Sequence, residues 1–236
     1  MNRRQILRLT TLFGACALAA PGALAISHPA EQFPIDEADV DRVPEKFRRQ
    51  AVSYSGPEKP GTIVVDTANR YLYLVQPNGE ALRYGIGIGR QGFSWSGRAD
   101  VRWKAKWPRW TPPAKMVKRD PAAAKWANGM PGGPTNPLGA RALYLFQGKV
   151  DTLYRIHGTA DPRSIGRAVS SGCIRLLNAD VADLYERVKP GAQVVVKQGG
   201  RKQPERAAPR LEAREEPRQE KMKPKAPIVQ RNFNLN

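Results

Sequence analysis

Short apolar runs, each closed by a turn signal, constrain this chain more than any other feature. "TIVVD" (62–66) is β-branched through its centre, and "RYLYLV" (70–75) alternates. Side chains of a strand point to opposite faces in turn, so Leu72 and Leu74 share one face while Tyr71, Tyr73 and Val75 share the other. Gln76-Pro77-Asn78-Gly79 then reverses the chain, because Asn-Gly accepts the positive φ angles of a tight hairpin. "ALRYGIGIG" (81–89) returns as a Gly-rich strand. "ALYLFQ" (142–147) and "LYRIH" (153–157) form a second pair around Gly148-Lys149, and "AQVVVK" (192–197) closes the series. His157 falls at or just past a strand end. One helix is clear: Val181, Leu184, Tyr185 and Val188 follow helical spacing, Asn178 is placed to cap it and Pro190-Gly191 stops it. The pattern predicts a mainly β domain over 61–197 with one or two short helices.

Composition changes on both sides of that block. Residues 1–25 open with Arg3, Arg4 and Arg8, continue through an Ala-rich apolar run and end in the small-x-small pattern Ala23-Leu24-Ala25. This reads as an export signal cut after about Ala25, by the general or the twin-arginine route. Its apolar run is short for a bilayer, so no stable membrane anchor is expected. Residues 26–60 are polar and Pro-containing, an N-terminal extension packing along the outside of the domain with one short helix. Residues 198–236 carry many charges and few large apolar groups, the composition of a flexible basic tail.

Inside the domain, 90–140 is rich in Pro, Gly and basic residues, with ten Lys or Arg against two Asp from Arg90 to Lys125. All five Trp (95, 103, 107, 110 and 126) fall in it. A long loop in a folded domain is usually functional or disordered, and five Trp argue against disorder. The expectation is an ordered insertion over a substrate groove, with most of the Trp bracing the fold.

The formal net charge of +18 favours an acidic partner: nucleic acid, anionic lipid or an anionic wall polymer. An exported protein rarely meets nucleic acid, so that partner is not expected. A metal site needs several clustered ligands, and beyond residue 25 the chain offers His28, His157 and Cys173 but no further His or Cys. "GIGIGRQG" alternates like a strand and lacks a following Lys-Ser/Thr, so it is no phosphate loop. No metal and no cofactor is expected.

The chemistry concentrates in "HGTADPRSIGRAVSSGCIR" (157–175). A thiol is a strong nucleophile as thiolate, and a nearby imidazole can take its proton. His157 and Cys173 are sixteen positions apart, and the Pro and Gly of "ADPRSIG" allow the chain to fold back between them. Gly172 permits unusual backbone angles, so backbone N–H groups near Gly172 and Cys173 could converge on an oxyanion. Arg175 either binds a substrate carboxylate or braces the loop.

"HGT…AVSSGCIRL" resembles the signature of the L,D-transpeptidase family, whose catalytic domain is called YkuD. "WPRWTPP" and "MPGGPTNPLGARALYL" resemble its periplasmic ErfK/YbiS-like branch. The resemblance covers about 61–197. It implies a mixed β-sandwich-like catalytic domain and a cysteine peptidyltransferase acting on peptidoglycan stem peptides in the periplasm. Carried over by position, Cys173 is the nucleophile, His157 its base, and the Gly158 carbonyl orients the imidazole. Backbone donors of Ser171, Gly172 and Cys173 would form the oxyanion hole. Some members have His where this chain has Ser171, so any role of that His is absent here. The implied acyl acceptor is another stem peptide, giving a 3→3 cross-link, or an envelope protein tethered to the wall. Water as acceptor would make the chain an L,D-carboxypeptidase, and a dead site would leave a wall-binding module.

Overall fold

The computed structural model describes residues 31–89, 96–170 and 172–198. All of these except Glu31 and Gln32 belong to one unit, Phe33–Asn236. The expected export signal (1–25), Trp95, Ser171 and all but the first residue of the expected tail (198–236) lie outside the described residues.

Apolar runs and turns become strands as the pattern requires. β1 (Gln50–Ser53), β2 (Ile63–Asp66), β3 (Tyr71–Val75) and β4 (Glu80–Gly85) come first, then the two-residue β5 (Ile88–Gly89) and the long β6 (Gly97–Lys106). β7 (Arg141–Gln147), β8 (Val150–His157), β9 (Ala168–Ser170), β10 (Ile174–Arg175) and β11 (Gln193–Lys197) follow. The β3–β4 reversal places Asn78 at φ 63° and Gly79 at φ 71°, the left-handed values that Asn-Gly tolerates. Nine strands form one mixed sheet in the order β1-β4-β3-β2-β11-β6-β7-β8-β10. Its far ends approach each other, since Gly87, just past β4, exchanges two 2.9 Å backbone hydrogen bonds with Arg175 of β10. β5 pairs in parallel with β9 beside this junction.

The two faces of β3 separate as the alternation requires. Leu72 and Leu74 enter the main core with Ile63, Leu143, Leu145 and Ile156. Tyr73 and Val75 enter a second cluster with Val52, Tyr54 and Val64. The 26–60 extension therefore does more than lie along the outside. Its β1 pairs with β4, and Phe47 packs with Val43, Ile165 and Leu177. Polar flanks hid the two anchors, Phe47 and Val52, because one apolar residue per short segment has no visible period.

The 90–140 insertion is also narrower than its composition suggests. β6 pairs with β11 on one side and β7 on the other, so it is a central strand of the sheet. Ala99 and Val101 point into the core, whereas Arg98, Asp100 and Arg102 face outward and mask the alternation. The insertion proper starts after Lys106. It carries α1 (Ala114–Arg119) and α2 (Pro121–Ala124), the latter capped by Asp120, whose Oδ1 accepts from Ala122 N at 2.9 Å. Asn136 is fully buried and staples the segment. Its Nδ2 donates to Pro131 O at 2.8 Å and its Oδ1 accepts from Leu138 N at 2.9 Å.

α3 (Asn178–Arg187) packs Val181 and Leu184 against the main core. Together with α1 and α2 it brings the α-helices to three among the described residues. Asn178 opens the helix without capping it: its Oδ1 accepts from Ala140 N at 2.9 Å instead. The opposite end is closed by Lys104 of β6, whose Nζ donates to Tyr185 O at 2.5 Å and Val188 O at 2.6 Å. Those carbonyls belong to the last turn, where no intrahelical donor is left for them.

Candidate active site

His157 ends β8 and Cys173 immediately precedes β10. The two strands run in parallel with Ile174 opposite Ile156 and Arg175 opposite His157. That register brings the ends of a sixteen-residue excursion side by side on neighbouring strands. Leu176 N donates to His157 O at 2.9 Å and fixes the alignment. His157, Gly172, Cys173 and Arg175 all line one cleft of about 1230 Å³. Its opposite wall comes from the insertion, including Trp110, Pro112 and Met116.

The imidazole is 4% exposed and strongly oriented. His157 Nδ1 lies 2.6 Å from Gly158 O. A carbonyl oxygen can only accept, so Nδ1 carries the proton and Nε2 keeps a free lone pair. Burial lowers the His157 pKa to about 4, with Arg175 and Arg155 adding to the drop and the Gly158 hydrogen bond opposing it. The ring is therefore neutral at pH 7 and able to accept a proton. Burial pushes the Cys173 thiol up from its ordinary value, while Arg155 and Arg175 partly oppose that rise. The resting pair is thus a thiol beside a neutral base, with the thiolate formed as the proton moves.

Glycines shape the turn around these groups. Gly172 sits at φ 135°, a backbone angle that side-chain-bearing residues rarely adopt. Gly158 has no room for a Cβ, which would strike Asn178 Oδ1 and come within 3.0 Å of Ala140 N. Gly139 is equally tight against Gly158 and Thr159. Asn178, Ala140 and Gly158 thus form one packed node beneath the carbonyl that holds His157.

Arg175 lines the cleft. Its Nε is buried without a hydrogen-bond partner, and burial lowers its pKa. Arg155, two residues before His157 and on the same face of β8, also lines the cleft. It makes a bidentate pair with Asp151, both contacts at 2.7 Å, and lies 4.4 Å over the Tyr144 ring. Sequence pattern alone does not place Arg155 or Tyr144 at the cleft, and it marks Asn178 only as a helix cap. The period-two relation of Arg155 to His157 was available; the other two depend on cross-strand and helix contacts.

The Trp residues divide. Trp107 is buried, with its ring edge-on to Phe33 at 5.1 Å, and braces the insertion. Trp110 forms a backbone bridge with Met130 and lines the cleft. Trp103 stays 44% exposed on the sheet surface.

Residues 60–196 match the family model YkuD, the L,D-transpeptidase catalytic domain. Probable L,D-transpeptidase YbiS of Escherichia coli K12 is 39% identical over 139 residues, 56% of this chain and 43% of that protein. Probable L,D-transpeptidase ErfK/SrfK of the same strain is 35% identical over 143 residues, 57% of this chain and 43% of its own length. The chain thus spans under half the length of these curated relatives. A crystal structure from Brucella melitensis, described as a probable carnitine operon oxidoreductase caia, is 51% identical. It covers 68% of this chain and 99% of that one at a TM-score of 0.47.

Proposed function

Because the chain belongs to the L,D-transpeptidase family, we propose that it is a peptidoglycan L,D-transpeptidase of the periplasm with Cys173 as nucleophile and His157 as base. The carrying observation is the oriented, neutral imidazole of His157, which lines the same cleft as Cys173.

The steps are those of the family, carried onto this chain's residues. The Cys173 sulfur attacks the carbonyl at the L-centre of the third stem residue, typically meso-diaminopimelate. The thiol proton passes to His157 Nε2, and the Nδ1 hydrogen bond to Gly158 O steadies the imidazolium that forms. Backbone N–H groups of Ser171, Gly172 and Cys173 receive the oxyanion as the carbonyl becomes tetrahedral. Collapse expels D-Ala, whose amine takes the proton from His157, and leaves a thioester on Cys173. An acceptor amine then attacks the thioester. Supplied by a second stem peptide, it gives a 3→3 cross-link; supplied by an envelope protein, it tethers that protein to the wall. Arg175, a cationic residue of the same cleft, holds a stem carboxylate. The hydrolytic reading, in which water replaces the acceptor amine, uses the same residues.

The test is mass spectrometry of products from purified disaccharide-tetrapeptide, with Cys173→Ala alongside. A cross-linked dimer lighter by one D-Ala, absent with the variant, is expected. A tripeptide product alone would replace transpeptidation on this substrate with carboxypeptidation. No Cys173-dependent product would overturn both readings.

A further inference from the structure

One row of residues crosses the outer face of the sheet from the nucleophile to open solvent. Trp103 of β6 is the cross-strand partner of Tyr144 in β7, and Tyr144 is the partner of Arg155 in β8. Continuing the β8–β10 register one step back from Ile174 opposite Ile156 places Cys173 opposite Arg155. The row is stacked as well as aligned. The Trp103 and Tyr144 ring centroids are 3.5 Å apart at 11°, and the Arg155 guanidinium lies 4.4 Å over the Tyr144 ring. Tyr144 and Arg155 belong to the cleft wall. Trp103, just outside it, is 44% exposed.

An indole held flat by a stacked neighbour, with much of its surface in water, loses apolar hydration when a flat C–H-bearing ring covers it. Pyranose rings offer such a face, with hydroxyls at the rim that stay solvated. Position supports the same ligand. Three strand spacings separate Cys173 from Trp103, about 14 Å, and the open indole face is the one turned away from Tyr144, so a stacked sugar lies about 4 Å farther out. A third stem residue held at Cys173 lies three residues from the sugar that bears the peptide, about 10 Å of extended chain. The lactyl link between peptide and sugar lengthens that span toward the strand-spacing figure.

We propose that Trp103, stacked on Tyr144, is a saccharide-binding platform that seats the sugar carrying the donor stem peptide while its third residue lies at Cys173. The proposal rests on the peptidoglycan reading above and adds the glycan to the recognised substrate. It predicts that the enzyme distinguishes a sugar-linked stem from a bare one through a residue outside the reacting centre.

The test is calorimetric binding to Cys173→Ala protein, which cannot turn substrate over. Two ligands are compared, the disaccharide-tetrapeptide and the same tetrapeptide without sugar. The sugar is expected to tighten binding about tenfold, the effect of burying one good aromatic contact. Trp103→Ala should abolish that gain and leave the affinity for bare tetrapeptide unchanged, and Trp103→Phe should restore most of it. Equal affinities for the two ligands, or a gain that survives Trp103→Ala, would overturn the platform. An equal loss for both ligands in Trp103→Ala would also overturn it, by showing a structural role. Turnover by the Cys173 protein reports separately on the proposed function.

Discussion

His157, as the proposed base, would couple turnover to pH through its burial. Its pKa of about 4 means that the free base persists well below the range of an exposed imidazole. The acid limb of kcat/KM is therefore expected near pH 4 instead of near 6.5, read from initial rates on a substrate whose own titration is measured in parallel. The same shift has a stability consequence. Between about 6.5 and 4 the unfolded chain binds a proton at His157 that the folded chain does not, so stability falls as pH drops through that window. The loss is about 3 kcal/mol at most, and His157→Gln should remove much of it, measured as denaturant midpoints at pH 7 and pH 4.5. Gly158 makes a second residue-scale case. Gly158→Ala forces a Cβ against Asn178 and Ala140, and overpacking of this kind costs about 1–3 kcal/mol. It should also cut kcat, because the displaced carbonyl is the one that orients His157. The meeting of Cys173, His157 and Gly172 in one cleft was legible in the sequence, since reactive types and a permissive glycine announce themselves. Asn178 was legible only as a helix start. Its actual partner, Ala140, is thirty-eight positions away, and no local pattern records such a contact.

At the scale of elements, α3 is held by charges at both ends and one side. Tyr84 donates to Asp183 Oδ2 at 2.7 Å, Arg187 donates to both Asp183 oxygens, and Arg49 reaches Asp183 at 3.1 Å and Asp180 at 3.7 Å. Burial raises the Asp180 pKa to about 7; Arg49 opposes that shift while Asp183 and Glu37 add to it. The folded chain then binds a proton that the unfolded chain releases above about pH 4. Stability contributed here falls as pH rises from about 4 to 7. Asp180→Asn should flatten that part of the profile and raise the melting temperature at pH 8, as thermal unfolding would show. Strand signals in β2, β3, β4, β7, β8 and β11 were readable because each run exposes its period. β6 was not, because its outward positions carry Arg, Asp and Lys and its register shifts between Val101 and Trp103. A bulge breaks strict alternation, so a central strand passed for part of a basic loop.

For the whole molecule, the family match and the physical domain have different edges. The match begins at residue 60, yet Phe47 and β1 are packed into the fold. A chain starting at residue 60 should melt well below one starting at Glu31, and Phe47→Ala alone should cost about 3–4 kcal/mol; circular dichroism melts of the three proteins measure both. The sheet that gains this edge strand also carries the cleft, so loss of the extension should lower activity in step with stability. The proposed acyl group sits on Cys173. Rapid-quench mass spectrometry of the intact protein with disaccharide-tetrapeptide, followed by peptide mapping, locates it. The expected result is a substrate adduct lacking D-Ala, cleaved by hydroxylamine and confined to the peptide that contains Cys173. An adduct on another residue, or one that persists in Cys173→Ala, would contradict it.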